Sequence, residues 1–108
     1  MKPENYFNHF DIAGFTYYDG VDVFNELKIG STVKLVAEPE NRYDRHAVAI
    51  YYADKKLGFV PRNENKMISK LLQFGYEDIF TAKINRVQAD AHPENQVSVV
   101  VKINEKKA

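Results

Sequence analysis

Two short segments of the sequence place tyrosine side chains in or beside turns rather than within apolar runs. The first segment covers residues 14–20 and the second covers residues 38–48. Exposed aromatic faces can stack nucleic-acid bases, at about 1–3 kcal/mol for each base. A tyrosine can also cap the end of a folded domain while its hydroxyl stays in water. Both interpretations of Tyr17, Tyr18 and Tyr43 are open at this point.

A basic stretch and one loop carboxylate accompany these tyrosines. Residues 55–70 carry a net charge of +4, and Arg42 and Arg45 lie within the second segment. Because lysine and arginine hold phosphates, these residue types together are the components of a single-strand nucleic-acid pocket. Asp44 is the exception, since a carboxylate repels phosphate. It fits only where the ligand offers a donor, such as a base edge or a free terminal sugar hydroxyl.

The composition restricts the class of protein. The chain has 108 residues and 44% hydrophobic side chains, which predicts one domain over residues 1–108, with a core over about 8–104 and short frayed termini. A net charge of zero argues against a non-specific nucleic-acid coat protein. The absence of cysteine excludes disulfides, thiol catalysis and thiolate zinc sites. No apolar run is long enough to span a bilayer, so we expect a cytoplasmic domain.

Catalytic chemistry has little support in the sequence. The three histidines have no partners at metal-binding spacing, and no glycine-rich phosphate-binding loop or serine triad motif is found. A metal-dependent nuclease could be assembled from the acidic residues, but their spacing singles out no pair. We therefore predict a binding module without enzymatic activity, bound metal or cofactor.

The hydrophobic pattern predicts several short strands and one main helix. We expect a mostly β protein, folded as an OB-like, partly open small β-barrel of about six strands. A two-layer α+β sheet is the main alternative. The predicted strands lie near residues 10–15, 33–37, 47–52, 57–60, 79–87 and 97–103, and a short helix lies at 21–27.

The main helix is predicted after Pro61, with Asn63 as its N-cap and Gly75 just past its C-terminal end. Its apolar residues recur at helical spacing, so one face should be buried. That face consists of Met67, Ile68, Leu71 and Leu72. The predicted core residues are Val48, Ile50, Leu57, Ile68, Leu71, Leu72, Ile84, Val87, Val99 and Val101.

Three motifs at these positions make the sequence similar to a known family. They are Gly14-Phe15-x-Tyr17-Tyr18-x-Gly20, Glu38-Pro39-x-Asn41-x-Tyr43-Asp44-x-x-Ala47-Val48 and Leu57-Gly58-Phe59-Val60-Pro61-x-x-x-Asn65. Together they resemble the HIRAN domain, a module of some SNF2-type DNA remodelling and repair ATPases that also occurs as a separate protein in bacteria. The similarity covers about residues 10–103. Each motif alone is weak, and their order and spacing make the resemblance specific.

The resemblance implies an OB-like barrel that captures the 3′ end of single-stranded DNA. Tyr17 would match a tyrosine that stacks on a base or contacts a phosphate, and Tyr43 would form the aromatic wall for the terminal nucleotide. Asp44 would accept a hydrogen bond from the 3′-hydroxyl. The other candidate binding residues are Tyr18, Arg42, Arg45, Lys56, Phe59 and Arg62.

The sequence departs from the remodeller version of the family at three places. That version has an arginine where Thr16 stands, a histidine near the place of Phe59 and a lysine-rich continuation in place of Pro61-Arg62. Nearby basic side chains could replace the missing contacts. These are Arg42, Arg45, Lys56 and Arg62.

Two functions follow from these residues. The leading hypothesis is a module that captures the 3′-hydroxyl end of single-stranded DNA in repair or replication, with a SNF2-type helicase/ATPase or a nuclease as partner protein. It involves no membrane and no small-molecule cofactor. The alternative is a protein-interaction module of the same fold, whose hairpin edge or tyrosine-rich face recruits a helicase or nuclease. The near-neutral net charge favours this alternative, and so does Thr16, which stands where the remodeller version has an arginine.

Overall fold

The computed structural model describes residues 6–105, and the predicted frayed ends at 1–5 and 106–108 lie outside the described residues. The strands are β1 (Tyr6–Asp11), β2 (Thr32–Ala37), β3 (Val48–Tyr52), β4 (Lys55–Phe59), β5 (Phe80–Val87) and β6 (Val97–Ile103). The α-helices are α1 (Gly20–Val23) and α2 (Lys66–Gln73). Short 3-10 turns lie at Phe15–Tyr17, Phe24–Glu26, Arg62–Glu64, Glu77–Ile79 and Pro93–Asn95.

The strands form one six-stranded antiparallel sheet in the order β1-β6-β5-β2-β3-β4. The sheet curls until its two ends meet. Ala13, two residues after β1, pairs with Phe59 of β4 through backbone hydrogen bonds of 2.8 and 2.9 Å. We call this pairing the Ala13–Phe59 seam. The prediction of a mostly β, OB-like and partly open barrel is confirmed, and the two-layer α+β alternative does not form.

Gly58 is needed for the seam to close. Its φ of +146° is a backbone conformation that L side chains rarely adopt. A Cβ added at Gly58 would lie 2.4 Å from the carbonyl oxygen of Ala13. The absence of a side chain at this residue therefore allows β4 and the segment after β1 to approach closely.

The core lies inside the curled sheet, where α2 covers part of it. Seven of the ten predicted core residues are buried, and Leu71, Leu72 and Val87 are half-buried. Alternate residues of β2 point inward, as expected for a strand with one buried face. The buried predicted residues are Val48, Ile50, Leu57, Ile68, Ile84, Val99 and Val101.

The predictions for α2 and β1 need correction. Met67 is 58% exposed and does not belong to the buried face of α2. Asn65, rather than Asn63, is the N-cap, because Arg62–Glu64 forms a 3-10 turn before the helix begins. The first strand ends at Asp11, and Phe15 is buried from a 3-10 turn instead of from the strand. Within residues 6–105, no helix has the length and apolar character needed to cross a membrane.

Candidate nucleic-acid interface

The turn between β2 and β3 is fixed by its own side chains. The Asn41 Oδ1 accepts hydrogen bonds from the backbone N–H groups of Tyr43 and Asp44, at 2.9 and 3.2 Å. The Asn41 Nδ2 donates to Glu38 Oε1 at 3.1 Å, and the backbone N–H of Glu38 donates to the carbonyl of Ala47 at 2.8 Å. Asparagine is well suited to this role because its short amide can bond to the backbone two residues on. The result is a rigid turn from which Tyr43 projects with 81% of its surface exposed.

The carboxylate of Asp44 is held in place by three groups. Its Oδ1 accepts from the backbone N–H of His46 at 2.8 Å, and its Oδ2 accepts from Asn65 Nδ2 at 2.8 Å. The guanidinium of Arg62 approaches, with Nε 3.5 Å from Oδ2. An ionised carboxylate offers about four acceptor positions, so Asp44 keeps capacity for at least one further hydrogen bond.

These contacts set the charge state of Asp44. Burial acts to raise the pKa of its carboxyl, but the hydrogen bonds from His46 and Asn65 and the charge of Arg62 together lower the pKa below its ordinary value. Its side chain is 17% exposed. Asp44 is therefore an ionised, oriented acceptor that a ligand can still reach at neutral pH.

The first polar-aromatic segment packs against β4. Gly14 has a φ of +72°, which turns the chain into the 3-10 turn Phe15–Tyr17. The ring of Tyr18 meets the ring of Phe59 edge to face, with centroids 5.5 Å apart. The backbone N–H of Asp19 donates to the carbonyl of Lys56 at 2.9 Å. On the outer edge of β4, backbone groups of Lys56 and, through the seam, of Phe59 are therefore already hydrogen-bonded.

The Lys56 ammonium sits between aromatic rings and a carboxylate. Its Nζ lies 4.4 Å from the ring centroid of Phe59 and 5.2 Å from that of Tyr18, which is cation–π geometry. The same Nζ donates to Glu38 Oε2 at 2.8 Å. Burial acts to raise the pKa of Glu38, but the hydrogen bonds from Lys56 and Asn41 outweigh it and lower that pKa below its ordinary value. The ammonium of Lys56 is thus already paired with a carboxylate and two aromatic rings within the protein.

The two turns and the start of α2 enclose a surface pocket of about 240 Å³. Five predicted binding residues line it, and the seam residue Ala13 and two apolar side chains add to its wall. The predicted residues are Tyr18, Tyr43, Asp44, Phe59 and Arg62. The lining is completed by Ala13, Asn41, Ala47, Val60 and Asn65.

Four predicted residues lie outside the pocket lining. Tyr17 is the last residue of the 3-10 turn, is 84% exposed and does not line the pocket. Arg42 and Arg45 are exposed on the turn that carries Tyr43. Lys56 does not line the pocket, although its ammonium lies over the rings of Tyr18 and Phe59, which do. The structure therefore brings together the acid and most of the aromatic residues, but leaves most of the predicted cations around them.

Asn65 and Asn41 carry functions that the prediction did not assign. Asn65 is 3% exposed and points its amide at Asp44, and Asn41 builds the turn. Both asparagines belong to the motifs quoted from the sequence. Asn41 could have been identified as a turn-forming asparagine, because its short amide can bond to the backbone two residues on. Asn65 lies 21 residues from Asp44, and only its place in the third motif distinguishes it.

The sequence model of the HIRAN domain family matches residues 6–104 of this chain. The chain belongs to the HIRAN domain family. HIRAN domains are nucleic-acid-binding modules rather than catalytic domains. No curated protein matches the sequence.

Two solved structures are similar to this chain in fold. A crystal structure of a Lactobacillus plantarum protein is similar with a TM-score of 0.74 and 20% identity, over 92% of this chain and 93% of that one. The crystal structure of the HIRAN domain of human HLTF is similar with a TM-score of 0.62 and 14% identity, over 94% of this chain and 81% of that one. At these identities the likeness concerns the fold.

Proposed function

We propose that the pocket between the two turns binds the 3′-hydroxyl end of single-stranded DNA. The observation that carries this proposal is the carboxylate of Asp44, which is ionised, oriented by three groups and placed on a pocket wall beside Tyr43 and Arg62. A free sugar hydroxyl can donate to this carboxylate. A terminal phosphate would instead bring a charge of about −1.5 to −2 against it.

The other pocket residues suit the remainder of a terminal nucleotide. The exposed ring of Tyr43 offers a face for one base, and the rings of Tyr18 and Phe59 form a second aromatic wall. Arg62 lies at the rim and donates from Nη2 to the Tyr43 carbonyl at 2.9 Å, so its guanidinium is positioned near the path of the first phosphate. The pocket is smaller than the roughly 300–1,000 Å³ of typical drug-sized sites, which suits the short end of a strand rather than a longer stretch.

The test compares two oligonucleotides that differ only at their 3′ end. Fluorescence titration of the unmodified protein should show tighter binding of the 3′-hydroxyl form than of the 3′-phosphorylated form. In Asp44→Asn this preference should disappear, because the amide no longer repels the phosphate. Asp54→Asn is the matched control, since it removes one exposed carboxylate from the β3–β4 turn, outside the pocket. Equal binding of the two ends by the unmodified protein would refute the assignment of the pocket, even if DNA binds.

We also propose that the chain holds DNA ends without cutting them, in repair or replication, beside a SNF2-type helicase/ATPase or a nuclease. The support is the family together with a site made of one carboxylate and its donors. Incubation of a labelled oligonucleotide with magnesium or manganese should leave it intact. Cleavage that Asp44→Asn abolishes would contradict this proposal.

The alternative of a peptide added to the hairpin edge has less support, because Ala13 and Asp19 already pair with β4. A peptide would have to displace both. Absence of oligonucleotide binding at roughly tens of micromolar protein and low salt would favour a protein partner instead.

A further inference from the structure

Helix α2 presents a face that the core does not use. Lys66, Lys70 and Phe74 follow one another at intervals of four residues, so they lie along one side of the helix. Phe74, at the C-cap, is 72% exposed, and Met67 beside this row is also largely exposed. Apolar side chains of this size are commonly buried in a folded domain. Here they line the outside of the molecule next to two lysines.

This face forms one wall of a groove of about 560 Å³. The groove lies directly beside the pocket of the proposed DNA end. His46 lines the groove and its backbone N–H donates a hydrogen bond to Asp44, and Lys66 lines the groove and follows Asn65 in the chain. The two depressions are thus linked through Asp44 and Asn65, which line the pocket and are bonded or adjacent to residues that line the groove. The groove is lined by His46, Lys66, Met67, Lys70, Gln73 and Phe74.

The charge of the groove is not neutralised by the protein. Across residues 6–105, Lys56, Arg62 and Arg86 each pair with a carboxylate, whereas Lys66 and Lys70 pair with none. The buried Nδ1 of His46 also has no hydrogen-bond partner in this part of the chain. Two unpaired ammonium groups beside exposed apolar surface are the composition of a single-strand binding track, in which cations follow the backbone and rings stack bases.

We infer that the α2 groove is a second nucleic-acid subsite, which binds the single strand on the 5′ side of its captured end. This inference rests on the proposed function of the pocket. Lys66 and Lys70 contact successive phosphates, and Phe74 stacks on a base. An acidic peptide is the competing occupant. Continuity with the pocket favours the DNA strand, because a strand that leaves the pocket past Asn65 meets Lys66 first.

The experiment separates the two sites by the length of the ligand. A trinucleotide with a free 3′-hydroxyl fills the pocket alone, and an oligonucleotide of about eight nucleotides also reaches the groove. The unmodified protein should bind the longer strand more tightly. The double variant Lys66→Gln/Lys70→Gln should bind the longer strand roughly tenfold more weakly at low salt and should bind the trinucleotide unchanged. For the longer strand, the slope of the logarithm of the binding constant against the logarithm of the salt concentration should become shallower by about 1.4, because two phosphate contacts are lost.

The matched control is Lys83→Gln/Lys102→Gln. These lysines are exposed on β5 and β6 around a separate depression that shares no residue with the pocket or the groove. The control removes the same charge and should leave the salt slope intact. Phe74→Ala should weaken binding of the longer strand about fivefold or more and leave the trinucleotide unaffected.

The outcomes distinguish this inference from the proposed function. Discrimination between 3′-hydroxyl and 3′-phosphate decides the pocket, and sensitivity of the longer strand to Lys66 and Lys70 decides the groove. Equal affinity for both lengths would overturn the groove assignment while leaving the pocket in place. The groove assignment would also be overturned if Lys66→Gln/Lys70→Gln bound the longer strand like the control Lys83→Gln/Lys102→Gln. It would be overturned as well if Lys66→Gln/Lys70→Gln lost only the binding of a labelled polyglutamate peptide.

Discussion

The Asn65 side chain donates a hydrogen bond to Asp44 across 2.8 Å, which joins the turn between β2 and β3 to the start of α2. Asn65 is almost fully buried, so its amide is committed to this contact. The contact orients the carboxylate on which the proposed recognition of a DNA end depends. A residue outside the predicted set thus controls the position of a predicted one.

Asn65→Ala should destabilise the fold and weaken binding together. Loss of the amide leaves Asp44 with one fewer donor in a partly buried place, and we expect the free energy of unfolding to fall by about 1–3 kcal/mol. Urea denaturation measures the first effect and oligonucleotide titration measures the second. Asn63→Ala, at an exposed residue two positions earlier, is the control and should change neither quantity. Unchanged stability in Asn65→Ala would show that Asp44 does not need this donor.

Gly58→Ala tests the seam. The new Cβ would overlap the Ala13 carbonyl oxygen, and the alanine would have to keep a φ of +146°. We therefore expect the free energy of unfolding to fall by about 2–4 kcal/mol. Gly30→Ala is the comparison. Gly30 also has a positive φ, of +95°, but an added Cβ meets nothing within 4 Å. Gly30→Ala should therefore lower the free energy of unfolding by only about 1 kcal/mol. Equal losses in the two variants would mean that the close approach adds nothing.

Glu38→Gln should strengthen DNA binding at low salt. The variant releases the Lys56 ammonium from its carboxylate partner, while a glutamine oxygen can still accept from Asn41. If Lys56 then gains one phosphate contact, the log–log salt slope should steepen by about 0.7. Glu40→Gln removes the same charge from an exposed position of the same turn and should leave the slope unchanged. The same steepening in both variants would assign the effect to general charge instead of to Lys56.

Stability should decrease in acid. The pKa values of Asp44 and Glu38 are lowered in the folded protein, so their ionised forms stabilise it above the unfolded pKa, near 4. This contribution is lost as the pH falls through the folded pKa values. We expect the free energy of unfolding to decline between about pH 5 and pH 3.

The decline should be shallower in Glu38→Gln/Asp44→Asn, measured by urea denaturation at a series of pH values. The control Glu40→Gln/Asp54→Asn removes two exposed carboxylates and should keep the full decline. An equally steep decline in the first double variant would assign the acid sensitivity to other groups.

The fold could be predicted because its strands carry strong local signals. The apolar run of β2, the β-branched residues of β6 and the glycine just past the end of α2 each indicate one structure, and each prediction is confirmed. The face of α2 was harder to predict. Met67 and Ile68 are both apolar, and their spacing cannot show which of them meets the curled sheet, since this depends on how the helix is rotated against it.

The candidate site could be predicted in part for the same reason. Tyr43 is recognisable because a large aromatic ring is unusual in a turn. Asp44 is recognisable because a carboxylate is unexpected among residues that would hold phosphates. The positions of Tyr17 and Lys56 relative to the pocket depend on contacts between distant segments. The sequence predicts Lys56 as a cation available for DNA, but in the structure it pairs with the carboxylate of Glu38, 18 residues away. No local pattern indicates that pairing.

The Ala13–Phe59 seam has a consequence for any molecule that occupies the pocket. Both seam residues also line that pocket, so its wall exists only while the two ends of the sheet remain joined. Occupancy and closure are thermodynamically linked, because a ligand that binds only the joined form raises its population by mass action. A bound guest should therefore slow amide hydrogen exchange at Ala13 and Phe59, which makes these two backbone groups an internal sensor of occupancy.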